Sequence, residues 1–200
     1  MTVLLPTAYL PPISYIATCV EADDILIEAH ETYSKQTFRN HCMIFGSNGK
    51  QILTVPVTKP MGNRTQTKDI RIAYELSWQK NHWRSFEAAY NKSPFFLYYQ
   101  DYLIQFYEDH HTFLLDFNYK ILDTLFMAIR LDRNIGFTAS FEKEPKGIDD
   151  KRMELVTKPQ WFHPEYVQVF SSKHGFLSNL SIIDLLFNLG PETLSYLSHQ

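Results

Sequence analysis

The sequence predicts an α/β domain, and three features carry that reading. The first thirty residues run strand, loop, helix, strand, the pattern of a βαβ unit with parallel strands. Two further apolar runs flank the glycine-rich connection 46–50, as in a β-hairpin. The middle of the chain then holds three amphipathic helical segments long enough to cover a sheet. Together these describe a small, mostly parallel, Rossmann-like sheet with a β-hairpin, covered by helices, in a single domain with a helical C-terminal segment. Within residues 1–200 we expect a sheet-rich half at 1–75, a helical half at 76–135, a loop at 142–160 and the C-terminal segment at 161–200.

Residues 2–5 form a short buried strand that Pro6 ends, because proline has no N–H for a ladder. After the loop 6–11, residues 12–21 read as a helix. Proline costs least in its first turn, and Ile13, Ile16, Ala17 and Val20 share one face. Residues 24–29 are the second strand. The hairpin pairs 41–45 with 51–57, and Pro56 places its second arm at an edge or shortens it. Residues 58–67, with Pro60, Gly62 and Asn63, read as a mobile surface loop, and 68–72 as a further short strand.

Trp78–Tyr90 is helical by pattern, with Trp78, His82 and Phe86 on one face, so His82 points inward or toward a cleft. Ser93-Pro94 reads as the cap and first residue of the next helix, whose stripe is Phe95, Tyr99, Tyr102, Leu103 and Phe106. A third helix spans 112–132 and closes near Asn134 and Gly136. Residues 137–141 are a strand. The polar stretch 142–160, broken by Pro145, Gly147 and Pro159, reads as a long loop of the kind that serves as a lid. Ser181 with Asp184 three residues on is a capping-box-like start, Asp standing where Glu or Gln is usual, and Gly190 ends that helix while Pro191 opens the next.

Fifteen Phe, twelve Tyr and three Trp predict a rigid aromatic core with Tyr hydroxyls at its rim. A net charge of −3 with both signs interspersed offers no footprint for nucleic acid. Cys19 and Cys42, the only cysteines, have no CxxC spacing, so neither a disulfide framework nor a zinc site is signalled. Asp109, His110 and His111 are consecutive, which points them to different faces and suits a single metal ion poorly. The amino end lacks the basic region of a signal peptide, and no apolar run reaches membrane-spanning length. The expectation is a cytoplasmic protein without a transmembrane segment. No pattern names a cofactor.

Chemistry concentrates at the exit of the second strand. The apolar run Ile25-Leu26-Ile27 is followed by Glu28, His30, Glu31, Lys35, Arg39 and Asn40, and ligands of open α/β sheets bind beyond such carboxyl ends. Glu28 or His30 is the candidate base, and Arg39 and Asn40 are candidates to stabilise charge on a carbonyl. Lys35 and Arg39 are candidate anion clamps. Tyr9, His41 and His82 complete the expected substrate-binding set. The bland alternative pairs Glu28 and Glu31 with Lys35 and Arg39 in a surface network of small energetic worth.

The order of segments resembles the WbqC-like protein family in the short form seen in Bacteroidetes. The resemblance rests on Pro6 to Tyr15 (PTAYLPPISY), residues 24–40 through Val57, and the helix around Trp78, His82 and Tyr90 leading into Ser93-Pro94-Phe95. It continues through Tyr166 to Leu197. Family members often carry a polar residue where this chain has Ala8, and an arginine where it has His41. The resemblance implies a setting in O-antigen or other surface-polysaccharide biosynthesis, with glycine transfer suggested for one branch.

Three functions follow as expectations. The first is an acyl or aminoacyl (glycine-type) transferase acting on an amino sugar or nucleotide sugar. The second is a nucleotidyl-type transferase, although no GxGxxG, P-loop or HxGH-like pair is present. The third is a non-catalytic binding or scaffold protein with partners in a glycan-assembly pathway.

Overall fold

A computed structural model describes residues 1–157 and 164–198. Residues 158–160 of the expected loop, and 162 and 163 of the stretch leading into the C-terminal family segment, lie outside them. The chain opens with β1 (Thr2–Pro6), α1 (Ile13–Glu21) and β2 (Asp24–Glu28), and β1 and β2 pair in parallel with Val3 opposite Ile25. Two more strands, β7 (Asn134–Phe137) and β8 (Asp149–Asp150), join them in the order β7-β2-β1-β8, every pair parallel. The α/β class, the parallel sheet and the separate hairpin thus stand as the sequence indicates.

Alternation along the strands divides the sheet's two faces. Val3, Leu5, Ile25 and Ile27 join the main buried cluster with Ile16 of α1 and Leu125 of α4 (Leu114–Ile129). Each fully buried side chain of this kind contributes roughly 1.5–3 kcal/mol. Leu4 and Leu26 face the other way, onto a cavity walled by Phe137, Pro145 and Ile148. Segment 139–148 therefore covers the second face where a helix would do so in a doubly wound sheet.

The hairpin is β3 (His41–Gly46) with β4 (Gly49–Thr54). Gly46 pairs with Gly49, and Gly49 takes φ +96°, so the connection is the two residues Ser47-Asn48 and not five. Residues 58–67 are more structured than expected. β5 (Val57–Thr58) pairs with β6 (Arg71–Ile72), tight turns stand at Gly62–Arg64 and Thr67–Asp69, and Thr65 and Thr67 are buried.

Helices α2 (Trp78–Tyr90), α3 (Phe96–Glu108) and α4 pack in succession. Ser93 does not cap α3: its hydroxyl donates to the Tyr90 carbonyl at 2.7 Å, closing α2 instead. α4 ends earlier than expected, because Arg130 turns left-handed at φ +61°. Asn134 and Gly136 then belong to β7, where a Cβ on Gly136 would stand 3.2 Å from the Leu26 side chain. The expected strand at 137–141 thus lies a few residues early in the chain.

After the short α5 (Glu154–Thr157) and α6 (Ser171–His174), α7 (Ile182–Leu189) and α8 (Thr193–Ser198) pack on α1. Ser181 does precede α7, yet its hydroxyl donates to the Leu10 carbonyl at 2.8 Å and makes no cap bond. Asp184 is buried, and its Oδ2 accepts from the Tyr166 hydroxyl at 2.6 Å and from Gln168 Nε2 at 3.0 Å. Its role is to tie α7 to the segment before α6, and burial holds its carboxyl above the ordinary range. Among the described residues no helix is long and apolar enough to cross a membrane.

Candidate functional site

In the order β7-β2-β1-β8 the chain builds outward from β1 through β2 to β7, then returns to place β8 on the other side of β1. The crevice at the carboxyl ends of such a sheet, where strand order reverses, is where open α/β folds seat ligands. Four loops meet there, following Pro6, Glu28, Phe137 and Asp150.

Glu28, the last residue of β2, is fully buried. Its Oε1 accepts from the His30 backbone N–H at 2.8 Å and from the Thr138 hydroxyl at 2.9 Å. Its Oε2 meets Nη1 of Arg152, just beyond β8, at 2.9 Å. Arg152 also grips Asp150 through Nε at 2.9 Å and Nη2 at 2.6 Å, and donates to the Glu142 carbonyl at 2.9 Å. One guanidinium thus ties β2, β8 and the covering segment together.

A second pair lies beside the first. Arg39 places Nε at 2.8 Å and Nη2 at 2.7 Å from one oxygen of Glu31, and its Nη1 donates to the Thr37 hydroxyl at 3.2 Å. Asn118 of α4 donates to the Arg39 carbonyl at 2.8 Å and so fixes the backbone beneath. The Arg39 side chain is 3% exposed and that of Glu31 12%. This is no surface network. Burial raises the Glu31 carboxyl above its ordinary range, outweighing the attraction of Arg39, and the Glu28 charge adds to the effect. Among the described residues Oε2 of Glu31 accepts no hydrogen bond.

The residues expected from sequence divide into three groups. Glu28, His30 and Arg39 stand at the sheet edge as a cluster, with the His30 side chain half-buried. Tyr9 and His82 are brought together, but inside the core: the Tyr9 hydroxyl lies 2.8 Å from His82 Nδ1 and 2.7 Å from the Tyr107 hydroxyl. Burial pushes His82 down to about 4 and Tyr9 well up, so both are neutral structural groups near pH 7.

The third group is dispersed. Asn40 spends its amide on the Val55 carbonyl at 2.9 Å. His41, at the start of β3, is half-buried against a separate small cavity, and burial lowers its pKa. Lys35 is exposed and enters no ion pair among the described residues. Sequence reasoning missed Arg152, Asp150 and Thr138. The signal was the run Ile148-Asp149-Asp150-Lys151-Arg152, an apolar residue entering a charged exit, lost within a polar stretch. It also set Glu31 among surface charges. No three His, Cys, Asp or Glu side chains gather as a metal-ligand set among the described residues.

The chain matches the model of the WbqC-like protein family over residues 7–159 and 148–196. It is 26% identical over 227 residues to the uncharacterized protein Rv1507c of Mycobacterium tuberculosis, covering 98% of this chain and 96% of that one. No solved structure matches it significantly.

Proposed function

Because the chain belongs to the WbqC-like protein family, we propose that it is an acyl or aminoacyl transferase acting in the cytoplasm on an amino sugar, free or nucleotide-linked. The biosynthetic setting is that of surface polysaccharide. One observation supports the reading above others. Glu31 is a largely buried carboxylate beyond the carboxyl end of β2, held by Arg39 through one oxygen, with no hydrogen bond to the other oxygen among the described residues and the proton affinity raised.

In the proposed step the amine attacks the carbonyl carbon of an activated acyl donor. The C–N bond forms, the bond to the leaving group breaks, and Glu31 takes the amine's proton. The leaving group departs with the bonding electron pair and receives that proton. Glu28 and Arg152 hold the floor of the site, since each polar group between them is already matched.

Transfer is tested by mass spectrometry of purified protein with a panel of nucleotide-linked amino sugars and acyl or aminoacyl thioesters. Glu31→Gln should lower product formation by about 100-fold or more, the usual range for losing a general base. A variant that keeps its rate within a few fold overturns the assignment.

A second reading has its own observation. The donors of Arg39 and Arg152 are directed at internal partners, as in a protein that binds and does not catalyse. It predicts that cells carrying Glu31→Gln still make the complete glycan.

A further inference from the structure

Next to the Glu31–Arg39 pair is a partly enclosed cavity of about 150 Å³. Thr37 belongs to both: its hydroxyl accepts from Arg39 Nη1 at 3.2 Å, and it lines the cavity wall. We infer that this cavity holds the acyl group of the donor, and that the group is short, uncharged and mostly apolar. The inference rests on the transferase reading and narrows it from acyl or aminoacyl to acyl.

Size is the first argument. A cavity of about 150 Å³ with apolar walls accepts a molecule the size of benzene, roughly six non-hydrogen atoms. Charge is the second. Among the described residues the lining includes no Asp, Glu, Lys or Arg, so neither an ammonium nor a carboxylate would find a counter-charge from them on entering. Phe38, Met43 and Leu155 supply apolar wall. His41 supplies a polar point, its ring making no hydrogen bond among the described residues. Burial lowers the pKa of His41, which keeps the imidazole neutral near pH 7 and able to donate to a carbonyl oxygen.

Pre-formation is the third. Four non-glycine residues among those described have positive φ, and three of them line this cavity: Leu10 at +41°, Gln36 at +55° and Asn179 at +52°. A leucine in that conformation persists only where its surroundings impose it, and such residues cluster at ligand clamps. Backbone bonds fix the frame. Tyr9 N–H donates to the Phe38 carbonyl at 2.8 Å, Ser181 N–H to Met43 at 2.8 Å, and Ile182 N–H to Pro11 at 2.8 Å. The Ser181 hydroxyl then pins Leu10 through its carbonyl at 2.8 Å. Three separate chain segments are thus locked around a space that none of them fills.

Three probes of nearly equal size and different charge test this: isobutyramide, isobutyrate and glycinamide, titrated at pH 7 into ¹⁵N-labelled protein. Isobutyramide should shift the amides of Leu10, Met43 and Ser181 and bind at least tenfold more tightly than either charged probe. His41→Leu should weaken it about fivefold or more, and Met43→Trp should abolish it by filling the space. The inference falls if a charged probe binds as well as the amide, or if isobutyramide leaves those three amides unmoved. Should Met43→Trp fail to fold, the ranking on the parent protein and His41→Leu still decide. Binding is read without turnover, so this result is separate from the Glu31→Gln rate, which tests the transferase reading itself.

Discussion

Replacing Arg152 with methionine strands a charge. Glu28 has a side chain only 1% exposed, and Arg152, at 6%, is the cation that offsets it. Removing one partner of such a buried pair costs about 3–5 kcal/mol, because the remaining ion keeps its desolvation penalty without its attraction. In a chain of this size about 1 kcal/mol moves the midpoint by roughly 2–4 °C, so Arg152→Met should lower Tm by about 6–20 °C. The Asp150 side chain is 31% exposed, and water takes over most of what it loses. The double variant Glu28→Gln with Arg152→Met should recover most of the loss. Both charges are then gone, and the glutamine carbonyl still accepts from the His30 N–H and the Thr138 hydroxyl. Calorimetry and urea unfolding at pH 7 on the parent, both single variants and the double variant give the coupling directly. A single Arg152→Met variant within about 1 kcal/mol of the parent would refute the reasoning, as would a double variant no more stable than that single one.

Acid should act through His82 as well. Its folded pKa of about 4 lies below the ordinary 6.5, so between those values the unfolded chain holds the extra proton. Its contribution is complete above pH 6.5 and is lost as pH falls toward 4. At about 1.4 kcal/mol per pH unit the whole window is worth about 3 kcal/mol. Glu31 and Asp184, both raised, contribute with the opposite sign, so the measurement is the difference in urea stability between the parent and His82→Gln at pH 7 and pH 4.5. That difference should shrink at the lower pH, and an unchanged gap counts against it. Gly190→Ala should cost about 2–5 kcal/mol, combining a left-handed φ of +55° with a Cβ that would meet the Phe95 ring at 2.6 Å. Gly147→Ala, at φ +73° with open space around it, should cost only about 1–2 kcal/mol. Equal losses by chemical denaturation would remove the Phe95 contact from the account.

What could be read in the sequence is what local patterning controls. The first βαβ unit is legible because two apolar runs are bounded by Pro6 and by Asp23-Asp24, and α2 because Trp78, His82 and Phe86 repeat at helical spacing. The rest depends on contacts distant in sequence. β8 is two aspartates paired with Val3 and Leu4, so neither alternation nor propensity announces it as a strand. Ser181-x-x-Asp184 has the spacing of a cap, but a better acceptor for Ser181 stands at Leu10, 171 residues away in sequence. Asn134 and Gly136 look like helix stop signals until Leu26 is seen to need the space a side chain would take. The site suffered in the same way. Glu28 and Arg39 were visible as charges at a strand exit, whereas the depth of Glu31 and the identity of Glu28's cation depend on β8 arriving beside β1.

That late arrival has a meaning for the protein as it is made. Arg152 follows Glu28 by 124 residues. At a ribosomal pace of about 5–20 residues per second, Glu28 therefore waits roughly 6–25 s before its guanidinium is even synthesised. Through that interval the nascent β1-α1-β2 unit must leave one end wet, since closing over an unmatched carboxylate is too costly. The carboxyl edge of the sheet consequently stays wet until β8 is made, and a polypeptide stalled short of β8 would hold the first βαβ unit with no finished site.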